Sequence, residues 1–142
     1  MPHPFPHTYT VDLSRTDSTF ARLSSGKANE VIAAAPSEFG GPEGHWSPET
    51  LLMASIELCF FTTLESLATK EKMEIHTLNA KINGQLDKTK MGLVFTKIEL
   101  QVDLKVSAGD QEKAKQLVEK AEKYCIISNA LKTPVEVVAN II

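Results

Sequence analysis

Two cysteines, Cys59 and Cys125, are the residues of this 142-residue chain most able to do covalent chemistry. A cysteine reacts as its thiolate, and burial among apolar side chains keeps the proton on. Cys59 lies inside SPETLLMASIELCFFTTLESLA, residues 47–68, the longest apolar stretch of the chain. Without help it is a small core hydrophobe. To react it needs a neighbouring cation, and arginine suits best, since its charge survives desolvation and its planar fork can face a sulfur and a carboxylate together. Only Arg15 and Arg22 are available. A carboxylate would hold the arginine in place, and Glu49 is the most rigidly placed candidate. Cys125 precedes IISNAL, and two buried thiols brought together by packing could form a disulfide.

These groups need a frame. Residues 47–68 read as a helix, with Ser47 as cap, Pro48 at the first helical position and Glu49 against the positive end of the dipole. From Leu51 to Phe61 the apolar side chains fall on every face, so the helix is expected to be buried nearly all round. Glu57 and Glu65 interrupt the run, which argues for the core of a soluble protein rather than a membrane span. Before it, residues 9–13 and 19–23 form a hairpin about a connection at 14–18, residues 30–34 add a strand, and the glycine-rich 37–46 is a loop able to line or cover a site. Residues 1–6, with three prolines, form an arm without regular structure. After it come two long strands, 75–86 and 93–106, the second with Val94, Thr96, Ile98, Leu100, Val102, Leu104 and Val106 on one face. An amphipathic helix over 110–124, a turn at 128–132 and a last strand at 135–142 complete an order β-β-β-α-β-β-α-β, which favours an α+β fold.

Length fits one domain, residues 1–142, with no separate regulatory module. A net charge of −3 and a pI near 5.8 give no basic footprint for nucleic acid or an anionic membrane. The N-terminus lacks a secretory pattern, so a cytoplasmic location is expected. In that reducing setting a cysteine pair is more often redox-active, catalytic or incidental than a structural staple. His3, His7, His45 and His76 show no metal-ligand spacing, and no metal site is assigned.

SPETLLMASIELCF and CIISNAL resemble the two cysteine motifs of the OsmC/Ohr family, osmotically inducible protein C and organic hydroperoxide resistance protein. The element order and the N-terminal strands with Arg15 extend the resemblance over nearly the whole chain. It implies a fold of two antiparallel β-sheet units around a long buried central helix, in an intertwined homodimer. It also implies a cysteine-based peroxidase acting on organic hydroperoxides. Cys59 would be the peroxidatic cysteine, Cys125 the resolving one, Glu49 the motif glutamate and Arg15 the activating arginine. No cofactor is expected to be bound; an external dithiol, of lipoyl type, would recycle the disulfide. Trp46, Phe60, Phe61 and Ile126 would line an apolar substrate pocket. Ile126 stands where the family usually has proline, Ser47 where it has asparagine, and Glu57 where it has a small or neutral residue. The departures at Ile126 and Glu57 motivate an alternative, a small-ligand binding protein of the same fold with little peroxidase activity. An acyl-thioester-binding fold also wraps a sheet around a long apolar helix but leaves the second cysteine unexplained.

Overall fold

The computed structural model describes residues 3–142; of the arm expected over 1–6, residues 1 and 2 lie outside them, and 3–6 carry no helix or strand. The order expected from the sequence is present: strands β1 (Asp12–Arg15), β2 (Phe20–Ser24) and β3 (Val31–Ala34), helix α1 (Pro48–Lys70), strands β4 (Ile75–Thr89) and β5 (Gly92–Val106), helix α2 (Gln111–Tyr124) and strand β6 (Val135–Ile141). A one-turn 3-10 helix at Ser37–Phe39 and a short helix α3 (Ile126–Asn129) are additional. The fold is α+β with two three-stranded sheets. Contacts divide it into a first unit ending at Leu51 and a second running from Leu52 to Ile142.

In the first unit β1, β2 and β3 pair antiparallel in that order. The hairpin turn is shorter than the sequence suggested. Asp17 Oδ1 accepts the N–H groups of Thr19 and Phe20, both at 2.8 Å, and the Thr16 N–H donates to the Phe20 carbonyl at 3.0 Å. With that tight turn β1 begins three residues and ends two residues later than the expected 9–13, which places Arg15 on the strand, opposite Ala21, rather than in the connection. The loop after β3 returns to the sheet, where the Ala34 N–H donates to the Trp46 carbonyl at 3.0 Å.

The start of α1 shows why serine serves at its cap. Ser47 is 2 % exposed; its Oγ accepts the Thr50 N–H at 3.2 Å while Thr50 Oγ1 accepts the Ser47 N–H at 2.9 Å. The reciprocal pair satisfies two donors that a helix start leaves free. At the other end Lys72 adopts a left-handed conformation, φ 55°, so that the Met73 N–H reaches the Ala68 carbonyl at 2.9 Å and the Lys72 N–H that of Thr69 at 3.2 Å, the paired bonds of a Schellman stop.

In the second unit β5 lies between β4 and β6. The sheet is mixed, not antiparallel as expected: β4 and β5 form an antiparallel hairpin, whereas β6 runs parallel to β5, because the intervening α2 supplies the long crossover that a parallel pair requires. Ile98, Leu100, Val102, Leu104 and Val106 of β5 are buried as their alternation predicts. The alternation does not hold through Thr96, which is exposed. The ladder shifts there, with Gln85 opposite Lys97 but Leu86 opposite Phe95, so the extra residue turns outward and Phe95 packs inward instead. Ala114, Leu117, Val118 and Ala121 of α2 cover the sheet; Tyr124, expected on that face, is exposed.

Helix α1 is long and apolar enough to span a bilayer by length and composition, yet it contributes Met53, Ile56, Phe60, Leu64 and Ala68 to the core. It is not buried all round: Leu58 is 59 % exposed and Phe61 38 %.

Candidate functional site

The two cysteines expected to act together are together. Cys59, two turns into the second unit's part of α1, is half-buried; Cys125, at the junction of α2 and α3, is buried; both are free thiols. The two are close enough for each to shift the other's pKa. Ile127 beside them packs against the core formed by Met53, Ile56 and Ile98, so the cysteine junction is anchored on the sheet.

Their protons are held differently. Burial pushes the Cys59 thiol up, but the Ile127 N–H, the Cys125 thiol, the Ile126 N–H and the Thr63 hydroxyl together outweigh it and bring Cys59 below its ordinary value. Donors aimed at a sulfur favour its anion. Cys125 moves the opposite way: burial raises it, and neighbouring Cys59 raises it further, against the hydroxyl and N–H of Ser128. The shifts are opposite in sign, so of the two thiols Cys59 gives up its proton the more readily and is the better nucleophile.

Glu57, two residues before Cys59, is not among the groups acting on the thiol. Two residues on a helix are separated by about 200° around the axis, so the carboxyl points away from the sulfur. Its own environment is unfavourable to charge: burial raises Glu57, and Oε2 is buried without a hydrogen-bond partner among the described residues.

The remaining candidates are placed as follows. Arg15 borders a groove of about 640 Å³ in the first unit, with Leu13, Phe20, Leu23 and Ala33 among its walls. It makes no ion pair among the described residues, whereas Arg22 Nε is held by Glu30 at 3.0 Å. Glu49 stands in the first turn of α1, and its Oε1 is buried with no hydrogen-bond partner among the described residues. A buried carboxylate oxygen in that state lacks a donor. Of the expected pocket residues, Phe60 is 2 % exposed and belongs to the core with Leu64 and Ala68; its ring holds the helix on the sheet. Trp46, Phe61 and Ile126 are exposed.

Sequence reading missed Thr63 and Ser128. Both carry a signal in hindsight: Thr63 follows Cys59 by four residues, one helical turn, and Ser128 follows Cys125 by three, the reach of a hydroxyl back across a turn.

A model of the OsmC-like protein family matches residues 40–140, which include Glu49 and both cysteines. The organic hydroperoxide resistance protein of Xanthomonas axonopodis pv. citri is 27% identical over 133 residues, covering 91% of either chain. The peroxiredoxin OsmC of Escherichia coli is 26% identical over 124 residues, 87% of this chain and 85% of its own. Among solved structures, an OsmC-like protein of unknown function from Vibrio cholerae superposes with a TM-score of 0.79 at 21% identity, covering 98% of this chain and 100% of that one. The match over 40–140, which takes in the acid and the cysteine pair, makes this chain a member of the OsmC-like family.

Proposed function

We propose that the protein is a thiol-dependent peroxidase that reduces organic hydroperoxides to alcohols. The observation that carries this reading is the pairing of Cys59, held below its ordinary value, with a second free thiol, Cys125, close enough for the two to shift each other's pKa. The names of the two relatives, one an organic hydroperoxide resistance protein and one a peroxiredoxin, support it.

In the proposed cycle the Cys59 thiolate attacks the terminal peroxide oxygen. The O–O bond breaks, the alkoxide takes a proton and leaves as alcohol, and Cys59 becomes a sulfenic acid. Cys125 then displaces the sulfenic oxygen as water and a Cys59–Cys125 disulfide forms. An external dithiol, of lipoyl type, reduces that disulfide by two thiol–disulfide exchanges and is itself oxidised. Arg15 is the proposed cation for the thiolate and Glu49 its anchor. Trp46, Phe61 and Ile126 are proposed as apolar contacts for the organic part of the peroxide. The working form is proposed to be a homodimer, in the cytoplasm.

The test is peroxide consumption with dihydrolipoamide as reductant. Wild type should turn over and Cys59→Ser should not, and one equivalent of an organic hydroperoxide should convert both thiols to an intramolecular disulfide. Mass analysis that finds Cys59 overoxidised while Cys125 remains free would remove the resolving role.

A further inference from the structure

The proposed cycle asks Cys125 to attack, yet burial and the neighbouring sulfur hold the proton on it. Something must favour the resolving sulfur's anion at the moment of displacement. Ser128 is placed to do this: its Oγ lies 3.2 Å from Cys125 Sγ and donates to it. The hydroxyl is carried on α3, whose turn is closed by the Asn129 N–H on the Cys125 carbonyl at 3.0 Å. Cys125 thus takes the hydrogen bond of the Ser128 hydroxyl and lies close enough to Cys59 for the two thiols to shift each other's pKa.

We infer that Ser128 is a catalytic group of the resolving step, its hydroxyl stabilising the Cys125 sulfur as that sulfur gives up its proton and bonds to Cys59. This inference rests on the peroxidase reading above. The step balances without an outside reagent. The Cys125 sulfur attacks the Cys59 sulfur, the S–S bond forms as the S–O bond of the sulfenic acid breaks, and the departing hydroxide takes the Cys125 proton and leaves as water. Cys125 sulfur is oxidised and Cys59 sulfur reduced. Peroxide cleavage takes place at the Cys59 sulfur, which Ser128 does not touch, so removal of the hydroxyl should separate the two steps.

The experiment mixes the reduced full chain with one equivalent of tert-butyl hydroperoxide and follows loss of peroxide, the lifetime of the sulfenic acid by dimedone trapping, and disulfide formation by mass. It compares wild type, Ser128→Ala and Ser128→Thr over a range of pH. A hydrogen bond to a charged sulfur supports a loss of about tenfold or more in disulfide formation for Ser128→Ala. The pH midpoint of that step should rise by about one pH unit, and peroxide loss should change by less than about threefold. Ser128→Thr, which keeps a hydroxyl, should restore both the rate and the pH midpoint. Resolution in Ser128→Ala at the wild-type rate, or slowed with an unmoved pH midpoint, overturns the inference while leaving the peroxidase reading intact. So does a folded Ser128→Thr as slow as the alanine variant, which also decides the matter should Ser128→Ala not fold. A wild type that consumes peroxide without forming the disulfide, or that consumes none, overturns the peroxidase cycle and the role of Ser128 with it.

Discussion

Burial and hydrogen bonding pull the Cys59 proton in opposite directions, and the donors from Ile127, Cys125, Ile126 and Thr63 win. The sign of the pH dependence follows. A lowered pKa keeps the thiolate to lower pH than in an ordinary cysteine, so Cys59 alkylation should fall off with decreasing pH at a midpoint under the ~8.5 of an ordinary cysteine. Thr63→Val should move that midpoint up. A wild-type midpoint at or above the ordinary value, measured by iodoacetamide labelling with the Cys59 adduct followed by peptide mass, would contradict the assignment of the donors. The cation is the second matter at this scale. The sequence offered two arginines without a means of choosing on spacing; the structure engages Arg22 with Glu30 and leaves Arg15 unpaired among the described residues. Arg15→Ala should therefore slow reaction with peroxide by more than tenfold, a barrier change of about 1.4 kcal/mol. Arg22→Ala should cost little, since an exposed ion pair contributes at most about 1 kcal/mol, and that to stability. Equal and small effects in stopped-flow assays would mean that the thiolate relies on its hydrogen bonds alone. The cysteines were legible because their chemistry is rare in this composition. Thr63 and Ser128 were not, because a hydroxyl near a sulfur matters only once the turn geometry is known.

At the scale of elements the reading succeeded where a period ran unbroken and failed where one residue interrupted it. The alternation of Ile98 to Val106 and the spacing of Ala114, Leu117, Val118 and Ala121 specify their buried faces directly. Thr96 continues the alternation in sequence, yet the ladder spends it on a bulge, a choice made by the pairing strand rather than by the local pattern. The hairpin turn moved for a similar reason, since Asp17 caps two N–H groups and only the folded turn reveals it. Gly84 of β4 belongs here too. It is exposed, as its polar neighbours suggest, yet a Cβ built there would stand 2.5 Å from Met53 Sδ, 2.8 Å from Met53 Cε and 3.1 Å from Phe95 Cε1. The missing side chain makes room for α1 on the sheet. Met53 is flexible, so Gly84→Ala should lose less than about 1 kcal/mol of stability, whereas the second branch of Gly84→Val should cost about 1–3 kcal/mol. Urea unfolding of Gly84→Val with Met53→Ala checks the contact. The double variant should lose less than the sum of the two singles, and strict additivity would place the strain elsewhere.

For the whole molecule the open matter is what Glu49 serves. Its Oε1 is buried without a partner among the described residues, and α1 runs unbroken from Pro48 to Lys70. Ten residues of continuous helix put Glu49 about 15 Å along the axis from Cys59, too far for both to clasp one arginine within a single chain. A second chain removes that difficulty. The surface supports one as well. Leu58 and Phe61 on α1, with Tyr124 and Ile126 near the cysteine junction, leave large apolar groups exposed, and grouped apolar surface marks an interaction site. A two-fold dimer would place the same patch of each subunit against its copy and form both sites at once. We therefore predict that the protein is a homodimer in which the Glu49 serving each Cys59 comes from the partner subunit. Differently tagged Glu49→Ala and Cys59→Ser chains can be co-refolded and the heterodimer isolated through both tags. Each homodimer should be nearly inactive. The heterodimer would hold one intact Cys59 opposite one intact Glu49 and should recover about half the wild-type rate per dimer, one site of two. If Glu49 acts within its own chain, the chain with the cysteine lacks the acid and the chain with the acid lacks the cysteine. A verified heterodimer with no more activity than its parents would then assign the site to a single subunit.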